Sequence, residues 1–171
     1  MRRSAQLVLI LGLVASFSGM ARAGGERSAG RFGAGLQVGY PGNGLSFNYF
    51  LSDSASLQVG APLWLEGDWR GAAARVDLLW WQAPLARPEF AEVSWYFGPG
   101  GYIVSFDWKG KSSEDSNIGL GAEFPVGVGF FFTKVPLDLN VEFVPLLQLH
   151  GPGDSPMDFA IAGVVNSRYY F

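Results

Sequence analysis

The chain has 171 residues, enough for one domain and short for two. It has no cysteine, which excludes disulfides, thiolate metal sites and cysteine nucleophiles together, and its net charge of −3 is too small to point to nucleic acid as a partner. Charged residues make up 16% against 49% apolar, whereas soluble domains carry about 25% charged residues, so charge is scarce for an ordinary soluble surface.

The N-terminus reads as an export signal. Arg2 and Arg3 precede the apolar run from Leu7 to Ala15, and Ala21-Arg22-Ala23 is a small-x-small cleavage site. Residues 1–23 are therefore expected to be a signal peptide and residues 24–171 the mature domain. The apolar run is shorter than the roughly 20 residues of a spanning helix. No later run approaches that length either. High hydrophobicity without such a run fits a membrane barrel, whose apolar residues occupy every second position.

Eight segments of alternating character follow, at 31–40, 45–51, 56–65, 72–82, 90–106, 117–133, 135–149 and 157–171. In the first, Phe32, Ala34, Leu36, Val38 and Tyr40 alternate with Gly33, Gly35, Gln37 and Gly39. In the fourth, Val76, Leu78 and Trp80 oppose Arg75 and Asp77. The sixth sets Ile118 through Phe132 at even positions against Gly119, Gly121, Glu123, Pro125, Gly127 and Gly129. The seventh sets Val135 through Leu149 at odd positions against Asp138, Asn140, Glu142, Gln148 and His150. The eighth sets Phe159, Ile161, Val165, Tyr169 and Phe171 against Asp158, Asn166 and Arg168. Successive side chains of a strand point to opposite faces, so each segment has one oily face and one polar or glycine face. The intervening stretches hold turn-forming residues, among them Pro41-Gly42-Asn43-Gly44, Ser52-Asp53-Ser54-Ala55 and a turn from Pro84 to Glu89.

A soluble β-sandwich with one wet face would also alternate. Segments six and seven are long for a sandwich, and Tyr40, Trp64, Trp80, Trp95 and Tyr169 stand near strand ends, where a membrane girdle sits. The predicted fold is all-β: an eight-stranded antiparallel up-and-down transmembrane β-barrel. Eight strands leave an interior that side chains just fill. The polar lumen network is expected to comprise Arg75, Asp77, Glu92, Glu123, Asp138, Glu142 and Arg168, with Asn48, Gln58, Asn140 and Asn166 beside them. Counting back from the last connection makes paired residue numbers in the final two strands sum to roughly 306–310. Arg168 is thereby expected to hydrogen-bond Asp138, Glu142 or both.

The chain resembles the small outer-membrane β-barrel proteins of the OmpA transmembrane-domain and OmpX kind. More narrowly, it is similar to an uncharacterised barrel family of spirochaetes and proteobacteria. The resemblance lies in Gly35 to Tyr49 (GLQVGYPGNGLSFNY), Gly119 to Gly129 (GLGAEFPVGVG), Pro136 to Pro145 (PLDLNVEFVP) and the ending Arg168-Tyr169-Tyr170-Phe171. It implies an eight-stranded barrel with no settled activity. Glu123 departs from the basic residue expected in the glycine-proline segment. The ending, with Tyr169 two residues before the terminal Phe171, looks like the signal read by the outer-membrane assembly machinery.

The resulting functional expectation is a non-enzymatic outer-membrane protein with a side-chain-filled lumen, serving envelope integrity or surface interaction through its outer loops. Its expected partners are outer-membrane lipids, the assembly machinery, periplasmic chaperones and an extracellular ligand of unspecified chemistry. No cofactor, metal or nucleic acid is expected. The competing reading is a lipid-modifying barrel, a deacylase or acyltransferase, using His150 near the outer rim with Asp154 and Ser155 in the following loop. The His-x-Ser spacing of deacylase-like barrels is missing, because Pro152 occupies the place of the serine. A small pore is a third class, and it would need a thinner interior.

Overall fold

The computed structural model describes residues 30–40, 42–66, 69–108, 118–150 and 158–171, and the side chains of 64–66, 69–70 and 106–108 lie outside that description. The expected signal peptide, residues 1–23, also lies outside it, as do Asp154, Ser155 and the side chain of Trp64. Among the described residues there are ten strand segments and no helix. They are β1 (Phe32–Gly39), β2 (Asn43–Phe50), β3 (Ala55–Glu66), β4 (Trp69–Trp81), β5 (Ala91–Phe97), β6 (Gly100–Trp108), β7 (Ile118–Glu123), β8 (Val126–Phe132), β9 (Leu137–His150) and β10 (Asp158–Tyr170).

Ten segments make eight staves. β4 pairs with both β5 and β6 in one register, and β9 pairs with both β7 and β8 in one register apart from a shift between Leu120 and Gly121. Gly98-Pro99 interrupts the fifth stave and Phe124-Pro125 the sixth. Proline has no N–H to give to the ladder, so the hydrogen bonding breaks there although the chain runs on. The neighbours compensate: Leu78 N–H donates to the Pro99 carbonyl (3.0 Å) and Gly98 N–H to the Pro125 carbonyl (3.1 Å). All pairings are antiparallel, and β10 pairs with both β9 and β1, which closes the sheet into a barrel.

The register also sets the tilt. Asp138 pairs with Arg168, Arg168 with Gly35, Gly35 with Ser46, Ser46 with Gly60 and Gly60 with Arg75. Arg75 pairs with Tyr102, Tyr102 with Gly121, and Gly121 with Gln148, ten residues beyond the start on β9. A stagger of ten residues around eight strands tilts the staves by roughly 40° from the barrel axis.

Burial follows the alternation. On β9, Asp138, Asn140, Glu142, Val144 and Leu146 are buried, whereas Leu137, Leu139, Val141, Phe143 and Leu147 are exposed. On β10, Ala162, Val164, Asn166, Arg168 and Tyr170 point inward. The lumen has three layers along the axis. Phe50, Leu79, Trp81, Tyr96 and Tyr170, with Phe131 against them, fill the end where β1 begins and β10 ends. A charged belt occupies the middle. Val144, Leu146, Ala162 and Val164, with Tyr102, line the end that carries the β9–β10 connection.

Glycine makes room for the inward tyrosine rings. Tyr96 stands opposite Gly127, Tyr170 opposite Gly33 and Tyr102 opposite Gly121. A Cβ on Gly127 would lie 2.5 Å from Tyr96 Cζ, whereas one on the outward Gly163 would meet nothing within 4 Å. Gly127→Val is therefore expected to destabilise the barrel by about 1–3 kcal/mol through overpacking. Gly163→Ala should fall within about 0.5 kcal/mol of the parent. Urea unfolding of the micelle-refolded protein measures both, and equal losses would show that ring-against-glycine packing does not constrain the lumen.

Candidate functional site: a charged belt beneath a lumen cavity

The belt is built on two guanidinium groups. Arg75 on β4 is ringed by three carboxylates: Nη2 lies 2.9 Å from Asp77 Oδ2, Nε 3.0 Å from Glu123 Oε1, and Nη1 3.2 Å from Glu142 Oε2. Arg168 on β10 faces Asp138 on β9 directly across the ladder, with a register sum of 306. Its Nε donates to both Asp138 oxygens (3.3 and 3.2 Å), its Nη2 donates to Oδ2 (3.0 Å), and its backbone N–H donates to Oδ1 (3.1 Å). Both side chains are completely buried.

Gln58 on β3 joins the two clusters. Its carbonyl oxygen accepts from Arg168 Nη1 at 2.7 Å, and its Nε2 donates to Glu142 Oε1 at 2.8 Å. Two tyrosines complete the belt from the aromatic layer. Tyr170 donates to Asp138 Oδ2 at 2.8 Å and accepts from Asn48 Nδ2 at 3.2 Å, and Tyr96 donates to Glu142 Oε1 at 2.8 Å. Trp81 anchors the layer below by donating from Nε1 to Ser56 Oγ at 2.8 Å.

Six of the seven expected network residues, Arg75, Asp77, Glu123, Asp138, Glu142 and Arg168, come together in this belt. Glu92 does not. It lies at the terminal end and pairs with the half-exposed Arg87 of the preceding connection, at 3.1 Å. The reason is its position one residue into β5, too near the end of the stave to reach the middle of the lumen. Arg168 takes Asp138 as its carboxylate, while Glu142 goes to Arg75. Glu123, the departure from the resembled glycine-proline segment, supplies one of the three anions around Arg75.

Several participants were not singled out from the sequence. Strand parity puts Gln58 inside without marking it as the link between clusters. Tyr96 and Tyr170 share strand parity with Glu92 and Arg168, and that parity was the available signal. Gln37, Asn166 and Asn140 stand side by side in register, buried and outside the ion-pair network. His150 ends β9, is exposed, and stands opposite Leu120. Among the described residues no group of His, Asp and Glu has metal-binding geometry.

Above the belt lies a cavity of about 110 Å³. Arg75 and Glu123 form its floor, Val144, Leu146, Ala162 and Val164 much of its wall, and Gln148 and Asp158 stand by its mouth. Tyr40, expected on the oily face, borders this cavity instead, because it follows the last residue of β1 and is free of the strand alternation. The cavity has room for a small molecule.

No family model, curated protein or solved structure matches this chain.

Arg168→Leu should cost about 3–5 kcal/mol, because it leaves the Asp138 carboxylate buried without its cation. Adding Asp138→Leu should recover a substantial part, since an apolar pair of similar volume removes the stranded charge. Denaturant unfolding of the parent, both single variants and the double variant gives the coupling. Additive losses would mean that the pair is not an energetic unit.

Proposed function

We propose that this chain is a non-enzymatic integral outer-membrane β-barrel protein, exported by the signal peptide at residues 1–23. Its side-chain-filled lumen makes it a structural or surface-presenting component of the envelope. One observation carries the reading. Among the described side chains, no Asp, Glu, Lys or Arg occupies an outward position of any stave. Leu36, Leu45, Leu63, Val76, Ile103, Val141 and Ile161 are instead about half exposed or more. Soluble monomers rarely expose contiguous apolar patches beyond a few hundred Å². In a bilayer the same surface is solvated by lipid, and a closed barrel leaves no backbone group unpaired there.

Other features support the same reading. Trp80, Trp95 and Tyr169 lie near stave ends, where interfacial aromatics are favoured. Tyr169 and Phe171 are exposed at the C-terminus with ring centroids 5.0 Å apart, available to outer-membrane assembly machinery after delivery by periplasmic chaperones. The likeness to the OmpA transmembrane-domain and OmpX kind is part of this proposal. The terminal end then faces the periplasm, and the loops at the other end serve envelope integrity or an extracellular ligand. The aromatic layer at the terminal end argues against a through-going pore.

Two measurements test the proposal. Val141 sits in an outward row with Val128, Val165 and Val38, so Val141→Arg should weaken insertion by ~2–4 kcal/mol if that row faces lipid. The inward Asn140→Ser should insert as the parent does. Heat-modifiable gel mobility of outer-membrane extracts reads both, and equal tolerance at the two positions would defeat the membrane assignment. His150→Ala should leave outer-membrane lipid composition unchanged. Loss of an acyl modification in that variant would replace this proposal with the lipid-modifying one.

A further inference from the structure

The lumen cavity is polarised in a way that a merely filled barrel does not require. Its wall residues Val144, Leu146, Ala162 and Val164 are buried against one another, so the space is apolar on that side. Its floor is the Arg75–Glu123 ion pair, backed by two further carboxylates. Arg75 is the sole cation among the described lining residues, and it is surrounded by Asp77, Glu123 and Glu142. Of these three, Glu123 borders the cavity itself. A carboxylate has about four acceptor sites, and Arg75 Nε occupies one of those on Glu123. Asp158 adds a further carboxylate by the mouth.

We infer that this cavity binds a small aliphatic ammonium compound, its nitrogen on Glu123 and its hydrocarbon body against Val144, Leu146, Ala162 and Val164. Size and charge both select this class. A dry cavity of roughly 150 Å³ accommodates benzene, so about 110 Å³ suits a body of about four carbon atoms. An anion would find the floor's guanidinium, Arg75, already paired with three carboxylates, and a neutral alcohol would gain no ion pair there. A buried ammonium needs a paired, hydrogen-bonding carboxylate, which Glu123 supplies. Site occupancy does not depend on which membrane surrounds the barrel, so its test is separate from that of the membrane assignment.

The test uses the full mature chain folded in a non-ionic maltoside micelle, titrated with n-butylammonium chloride, n-butanol and sodium butyrate. Backbone amide and methyl resonances of Tyr102, Val144, Ala162 and Val164 report on the cavity. The expected result is a saturable shift with butylammonium alone. Glu123→Gln should weaken it at least tenfold, while Asp77 and Glu142 keep Arg75 paired. Ala162→Leu should abolish it by filling the space, with gel mobility confirming a folded barrel. If Glu123→Gln does not fold, the three probes on the parent and the Ala162→Leu variant decide. The inference is overturned by equal binding of butanol or butyrate, by butylammonium shifts that survive Ala162→Leu unchanged, or by no saturable shift up to tens of millimolar.

Discussion

A guanidinium enclosed by a narrow ring of strands must be neutralised where it stands. Removing one partner of a buried pair strands the other charge at a cost of about 3–5 kcal/mol. Arg75 and Arg168 impose that condition twice, and much of the lumen is arranged to meet it. Asp138 is directly across the ladder from Arg168, and Asp77 is two residues from Arg75 on the same strand face. Glu123 and Glu142 arrive from β7 and β9. Gln58 accepts from one cluster and donates to the other, so neither can shift without loosening its neighbour. The tyrosines reach the belt because the strands opposite them carry glycine.

The same ion pairs hold the register. A slip of one residue in a strand exchanges its two faces. In β9 that would turn Asp138, Asn140 and Glu142 outward and bring Leu139, Val141 and Phe143 into the belt. Arg168 would lose its carboxylate in the same step. The inner charges and the outer apolar surface are thus two consequences of one alternation. A barrel that keeps them apart has little freedom in how its staves pair, which suits a sheet that must also close with a stagger of ten residues.

Much of this was legible from period-two patterning. The eight segments correspond to the eight staves within a few residues, and the charge on β4, β7, β9 and β10 pointed inward as the alternation required. The reading was weaker where two signals competed. Pro99 and Pro125 read as ordinary members of long segments, yet each lacks the N–H that a ladder needs, so two staves are interrupted. Glu92 had the right parity and the wrong depth, because parity fixes the face but not the distance along the axis. Val144 and Leu146 are masked in the sequence by polar neighbours of the same parity. They occupy inward positions of β9 between Glu142 and Gln148, and alternation alone suggested a polar face throughout. Register across staves, which pairs Leu146 with Ala160 and Val144 with Ala162, gathers these apolar side chains into one wall.

Those inward apolar positions make the lumen asymmetric. At the terminal end, rings pack against rings: Trp81 and Tyr96 have centroids 4.2 Å apart, and Phe131 meets Trp81 at 5.1 Å. Large side chains there fill the cross-section and shield the belt. At the opposite end the inward residues of β9 and β10 are smaller, with Ala160, Ala162 and Val164 beside Val144, so the same cross-section is left partly open. Residue size thus makes one end a plug and the other a cup, with the charge belt as the floor of the cup. Water entering past Gln148 and Asp158 meets apolar walls that hold it poorly before it reaches the floor charges that hold it well. A cup with that gradient favours a solute that is oily along its length and charged at its tip.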